Sequence, residues 1–87
     1  MVTNVCKVMQ RLSDGDTITC TVKAVDRALS AEDYTILANR MCGNFSSDAD
    51  DILYFTIRTT INNKKDNYKA KNFKEVDTIL KGIFNVA

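Results

Sequence analysis

A single small α+β domain spanning residues 1–87 is the fold predicted for this chain, and three observations point to it. Two stretches, Thr17–Val25 and Ile52–Ile61, alternate apolar and polar residues with the two-residue period of a half-buried strand. Two others, opening after Ser30 and Asn72, carry a capping residue and then apolar residues at the three-and-four spacing of a helical face. Finally, 87 residues bury only roughly 60–65% of the surface their unfolded chain exposes, too little for two cores.

Taken in order, the first stretch reads as a helix. Val2, Val5, Cys6, Met9 and Leu12 fall at helical spacing, Thr3 or Asn4 serves as cap, and Ser13-Asp14-Gly15-Asp16 stops it. Thr17–Val25 then places Ile18, Cys20, Val22 and Ala24 on one face of a strand, with Thr17, Thr19, Thr21 and Lys23 on the other. Ser30 begins the next helix, with Glu32 and Asp33 where the helix dipole favours negative charge. Tyr34, Leu37, Ala38 and Met41 line its inner side, and Gly43 is the expected left-handed stop, giving a helix over 31–42.

A polar connection, Asn44 to Asp51, leads into the central feature, a hairpin over Asp51 to Lys74. Leu53, Phe55, Ile57 and Ile61 form its buried face, Asn62 to Asn67 its polar basic turn, and Tyr68 to Lys71 its return. Asn72, with Glu75 three residues on, starts a C-terminal helix whose Phe73, Val76, Ile79, Leu80, Ile83 and Phe84 pack on that face. The predicted order is therefore α-β-α-β-β-α, with the antiparallel hairpin packed against the last helix.

An alternative takes only Thr17 to Thr19 as strand and Thr21 to Leu29 as helix, presenting Val22, Val25 and Leu29 inward. That element order resembles a winged helix-turn-helix, with the basic hairpin as wing. The second helix of such a motif brings its N-terminal residues to base edges, yet here these are Glu32 and Asp33, which phosphates repel. On this reading the wing carries the binding.

Composition narrows the chemistry. The chain has no histidine, the usual general base near neutral pH and the commonest metal ligand, so catalysis is not expected. Cys6, Cys20 and Cys42 are odd in number and form no CxxC pair, which reads as small buried hydrophobes in a reducing compartment. Asp48, Asp50 and Asp51 lack the glycine and glutamate of an EF-hand, since Leu53 and Thr59 stand at those positions. No cofactor or metal is expected. The absence of a long apolar run or signal-like N-terminus predicts a cytoplasmic protein without membrane contact.

Charge is uneven along the chain. Residues 1–50 are net −2 and residues 51–87 net +3, within an overall +1. The positive side is the hairpin: Arg58, Asn63, Lys64, Lys65, Asn67, Tyr68, Lys69, Lys71 and Lys74 supply cations to displace counterions and amides to bond phosphate oxygens. The leading expectation is a small non-enzymatic, winged-helix-like regulator contacting nucleic acid through hairpin 58–74. A second is a protein-binding inhibitor or adaptor of phage or mobile-element type, engaging a basic host protein through Glu32, Asp33, Asp48, Asp50 and Asp51. A third is a homo-oligomer formed by pairing of the Thr17 to Val25 edge strand.

Overall fold

Strict alternation governs the N-terminus, where the sequence pointed to a helix. In the computed structural model, which describes residues 1–87, Thr3–Leu12 is a strand (β1). Its buried side carries Asn4, Cys6, Val8 and Gln10. The helical spacing of Val2, Val5, Cys6, Met9 and Leu12 misleads because two of the four buried positions are amides, which broke the apolar period of the strand.

β2 is Thr17–Val25, followed by helix α1 (Ala31–Asn44), strands β3 (Ile52–Ile61) and β4 (Lys64–Ala70), and helix α2 (Phe73–Phe84). No helix forms over 21–29, so there is no helix-turn-helix. The strand runs unbroken to Val25 and turns at Asp26, which takes a positive φ of 57° and locks β1 to β2 by exchanging bonds with Val2. The order is ββαββα, not α-β-α-β-β-α.

The four strands form one antiparallel sheet in the order β2-β1-β3-β4. It consists of two hairpin-then-helix units joined along β1 and β3, with Val8 and Ile57 directly opposite each other at the seam. Both helices lie on the same side of the sheet, α1 against β2 and α2 against β4. Between them and the sheet sits one core of 13 buried apolar residues, centred on Cys6, Val8, Leu37, Phe55, Ile57, Val76 and Leu80. Phe55 and Phe73 rings stand 4.9 Å apart, with Phe45 closing the group at 5.9 Å from Phe55. The hairpin thus packs against the C-terminal helix as expected.

Three local expectations change. Leu53 is 56% exposed and outside the core, because the pairing of β1 with β3 slips there: Arg11 faces Tyr54 and Leu12 faces Ile52, leaving Leu53 as the extra residue of a bulge. The β3–β4 turn is only Asn62-Asn63, both at positive φ (51° and 66°), the backbone of a tight two-residue hairpin turn. Lys64 and Lys65 therefore belong to the return strand. Gly43 lies inside α1, which continues to Asn44 and ends on the buried Phe45, whose N–H donates to the Met41 carbonyl.

Two buried amides tie the loops to β1. Gln10, fully buried, donates from Nε2 to the Ser46 carbonyl and accepts from the Ser46 N–H at Oε1, both at 2.8 Å. Asn4 donates to the Arg27 carbonyl at 2.6 Å and accepts from the Asn62 N–H at 2.9 Å. Each satisfies backbone groups that strand pairing leaves over, which explains polar side chains at core positions. No helix is long and apolar enough to cross a membrane.

Candidate nucleic-acid interface

Because both helices occupy one side of the sheet, the other side is uncovered, and strand register decides what it presents. Across it, Thr21, Lys7, Arg58 and Asn67 form one row; Lys23, Val5, Thr60 and Lys65 form the next. A third row holds Thr19, Met9, Thr56 and Lys69, and a fourth Thr17, Arg11 and Tyr54. The four strands contain seven basic residues and a single acid, Asp66, which sits opposite the buried Thr59. The other ten acids of the chain all lie in helices, turns and loops.

Lys7, Arg58 and Lys65 converge on an open groove of about 340 Å³, with Val5, Thr60 and Asn67 completing the walls and Asp66 at its border. None of the three cations is ion-paired: the molecule has two salt bridges, Arg27–Asp33 and Lys81–Asp77, both elsewhere. Lys7 and Arg58 face each other directly, an arrangement that like charges resist. Nearby, Lys69 Nζ lies 4.4 Å from the centre of the Tyr54 ring, and Arg11 donates to Thr17 Oγ1 at 2.9 Å. The face is a lattice of cations and hydroxyls.

The hairpin residues named from sequence divide by strand parity. Arg58, Lys65, Asn67 and Lys69 share the open face. Lys64 and Tyr68 point to the helix side of the edge strand, Tyr68 lying opposite Ile57 and still partly exposed. Asn63 occupies the turn, while Lys71 and Lys74 sit at the other end of β4, where Asn72 caps α2 by accepting from Glu75 N–H and Lys71 N–H donates to Glu75. Sequence reasoning missed Lys7, Arg11 and Lys23. The alternation Thr3, Val5, Lys7, Met9, Arg11 was the available signal, hidden by reading 2–12 as helical.

The acidic set is also divided. Asp33 is 3% exposed and fully engaged: its carboxylate accepts from Arg27 at 2.7 and 3.1 Å, from the Ser30 N–H at 2.8 Å and from the Ser30 hydroxyl at 3.1 Å. The Arg27 hydrogen bonds, with those from Ser30, hold its pKa well below the usual carboxylate range against the opposing effect of burial. Glu32 beside it is exposed at the start of α1. Asp48, Asp50 and Asp51 lie at the opposite end of the sheet, in and before a short 3-10 turn, joined to the Ser13–Asp16 turn by the bond from Ser13 N–H to the Asp51 carbonyl. Asp14 and Asp16 add to that end, so five acids gather where β1 ends and β3 begins, with Arg11 beside them.

The thiols are all free. Burial pushes the Cys6 thiol up to about 12 and raises that of Cys20, which disfavours the thiolate at both; Cys42, expected inside, is exposed on α1 because it lies on the side of the helix away from Leu37 and Met41. Comparison with protein-family models, with curated proteins and with solved structures found no match to this chain.

Proposed function

We propose that this protein is a small non-enzymatic regulator that contacts the phosphate backbone of nucleic acid through the open face of its sheet, acting in the cytoplasm. The observation that carries this reading is the convergence of Lys7, Arg58 and Lys65 on one groove, none of them ion-paired and with Asp66 at the border the one acid to offset three cations. Cations set side by side on adjacent strands repel one another, and a bound polyanion reverses the sign of that interaction. The hairpin remains the principal contributor, through Arg58, Lys65, Asn67 and Lys69, but β1 and β2 extend its footprint with Lys7, Arg11 and Lys23. Hydroxyls of Thr19, Thr21, Thr56 and Thr60 interleave with the charges and suit phosphate oxygens. With the one aromatic ring among these rows, Tyr54, already covered by Lys69, base stacking contributes little and sequence preference is weak. Free buried thiols agree with a reducing compartment.

Fluorescence anisotropy with duplex and single-stranded probes tests the proposal. Binding is expected to weaken steeply with salt, by a log–log slope of about 0.9 per duplex phosphate contact, and to disappear when Lys7, Arg58 and Lys65 become glutamates in a protein that keeps its circular dichroism. No binding to either probe at low salt rejects it.

A second reading rests on the acidic cluster. Asp14, Asp16, Asp48, Asp50 and Asp51 gather where β1 ends and β3 begins, a surface suited to an inhibitor or adaptor that engages a basic protein. Recovery of a stoichiometric partner that survives charge reversal of these residues counts against it.

A further inference from the structure

The sheet has two edges, and they differ in kind. β4 ends the sheet with Lys64, Lys65, Asp66 and Lys69 among its seven residues, a charged edge of the sort that discourages strand addition. β2 ends it with nine residues, of which Lys23 alone is charged.

The hydrogen bonds flanking β2 show which of its backbone groups are free. Leu12 N–H donates to the Asp16 carbonyl and Asp26 N–H to the Val2 carbonyl, in the same register as the β1–β2 ladder. Ladder bonds alternate along an antiparallel pair, so even-numbered residues of β2 bond to β1 and odd-numbered ones turn their N–H and C=O outward. A bond from the Arg40 guanidinium to the Thr21 carbonyl, made from outside the sheet, agrees. Thr17, Thr19, Thr21, Lys23 and Val25 thus present an unpaired row, covered at Thr21 alone by a side chain.

We propose that β2 pairs antiparallel with β2 of a second copy of this chain, on a two-fold axis at Thr21, to make a continuous eight-stranded sheet. In that register every outward residue meets another outward residue: Thr21 faces its own copy, Thr19 faces Lys23, and Thr17 faces Val25. No like charges oppose each other. The same operation on β4, centred on Asn67, sets Lys65 against Lys69 twice, which selects β2. Beside the β2 edge runs a groove in which Thr21, Lys23, Arg40 and the Arg27–Asp33 pair surround Ile36, a partly exposed apolar side chain that a second copy laid along the edge would cover. The axis stands perpendicular to the sheet, so both open basic faces end on the same side. Arg40 must leave Thr21 for the strands to join, which makes it a competitor for the edge.

Analytical ultracentrifugation of the full chain without nucleic acid, from micromolar to millimolar concentration, tests the pairing independently of any binding activity. A monomer–dimer equilibrium is expected. Thr21→Lys, which places two lysines face to face on the axis, weakens it by about tenfold or more. Thr21→Pro, which removes an outward N–H and no internal ladder bond, abolishes it, and Arg40→Ala tightens it. A monomer throughout overturns the proposal, as does a dimer indifferent to these three changes. Circular dichroism confirms that each variant is folded, and having two changes at Thr21 protects the test against loss of one.

Discussion

Lys7 and Arg58 stand directly opposite each other on the two central strands, on the uncovered face of the sheet, with no acid bonded to either. Like charges in that position cost stability, so stability and binding should respond to their replacement with opposite signs. Lys7→Glu turns repulsion across the strands into attraction and is expected to raise unfolding free energy by about 0.2–1 kcal/mol. The same change should lower affinity for a nucleic-acid probe at least as much as any single lysine on the hairpin. Urea denaturation and anisotropy on one protein preparation check both signs, and a variant that loses stability and keeps affinity contradicts the assignment of the face.

Gln10 bonds both backbone groups of Ser46 from inside the core. Gln10→Leu keeps the volume close to that of glutamine but leaves the Ser46 N–H and C=O unpaired, at an expected cost of about 1–3 kcal/mol. Chemical denaturation measures it. Hydrogen exchange at Ser46 should accelerate by more than at residues of α2, since the lost bonds are local.

Acid should unfold the protein partly through Asp33 and Asp77. Both carboxylates are held below their ordinary range, Asp33 by Arg27 and Ser30, Asp77 by the Tyr34 hydroxyl and then Lys81. The unfolded chain therefore binds their protons first, and their contribution is complete above about pH 4 and lost as pH falls through the folded values. Asp33→Asn should lower stability at neutral pH by about 1–2 kcal/mol, a modest figure because Arg27 is half in water, and should flatten the fall toward acid. Melting temperatures against pH for the two proteins will converge at low pH if this is right.

Leu53 and Phe55 are neighbours in a hydrophobic alternation but belong to different environments. Leu53→Ser on the bulge should change stability by less than about 0.5 kcal/mol, whereas Phe55→Ala in the aromatic group should cost about 3–5 kcal/mol. Equal losses at the two positions would mean that the strand pairs without the bulge.

Where local chemistry decides the structure, the sequence was readable. Ser30, and Asn72 with Glu75, cap the helices as expected, although the return bond from Ser30 to Asp33 was not anticipated, and the alternation of Thr17–Val25 and of Ile57 against Arg58 survives intact. What could not be read depended on partners distant in the chain. Gln10 is buried because Ser46, 36 residues later, needs it, and a core glutamine looks like a polar interruption until that loop is in place. Lys7 gains its meaning only from Arg58, across a strand pairing that the helical reading of 2–12 removed. Likewise the turn at Asn62-Asn63 was legible in its residue types, but its length set the parity of Lys64 and Lys65 and hence which lysines share a face. The candidate site was half visible for the same reason: β3 and β4 are contiguous, and β1 is not.

The seam at Val8 and Ile57 also bears on how the molecule acquires its shape. Each hairpin closes a loop of a few residues, yet joining them brings together positions 49 apart, and the single core that both units share is complete only when that happens. Closure of a long segment before its contacts reward it is the slow step expected of such a topology. The rate of folding should then follow substitutions along β1 and β3, with those on β2 and β4 felt mainly as faster unfolding. The central strands that carry the opposed cations would on this account also form the folding nucleus, so Lys7 and Arg58 repel each other at the moment when the chain first commits to its native pairing.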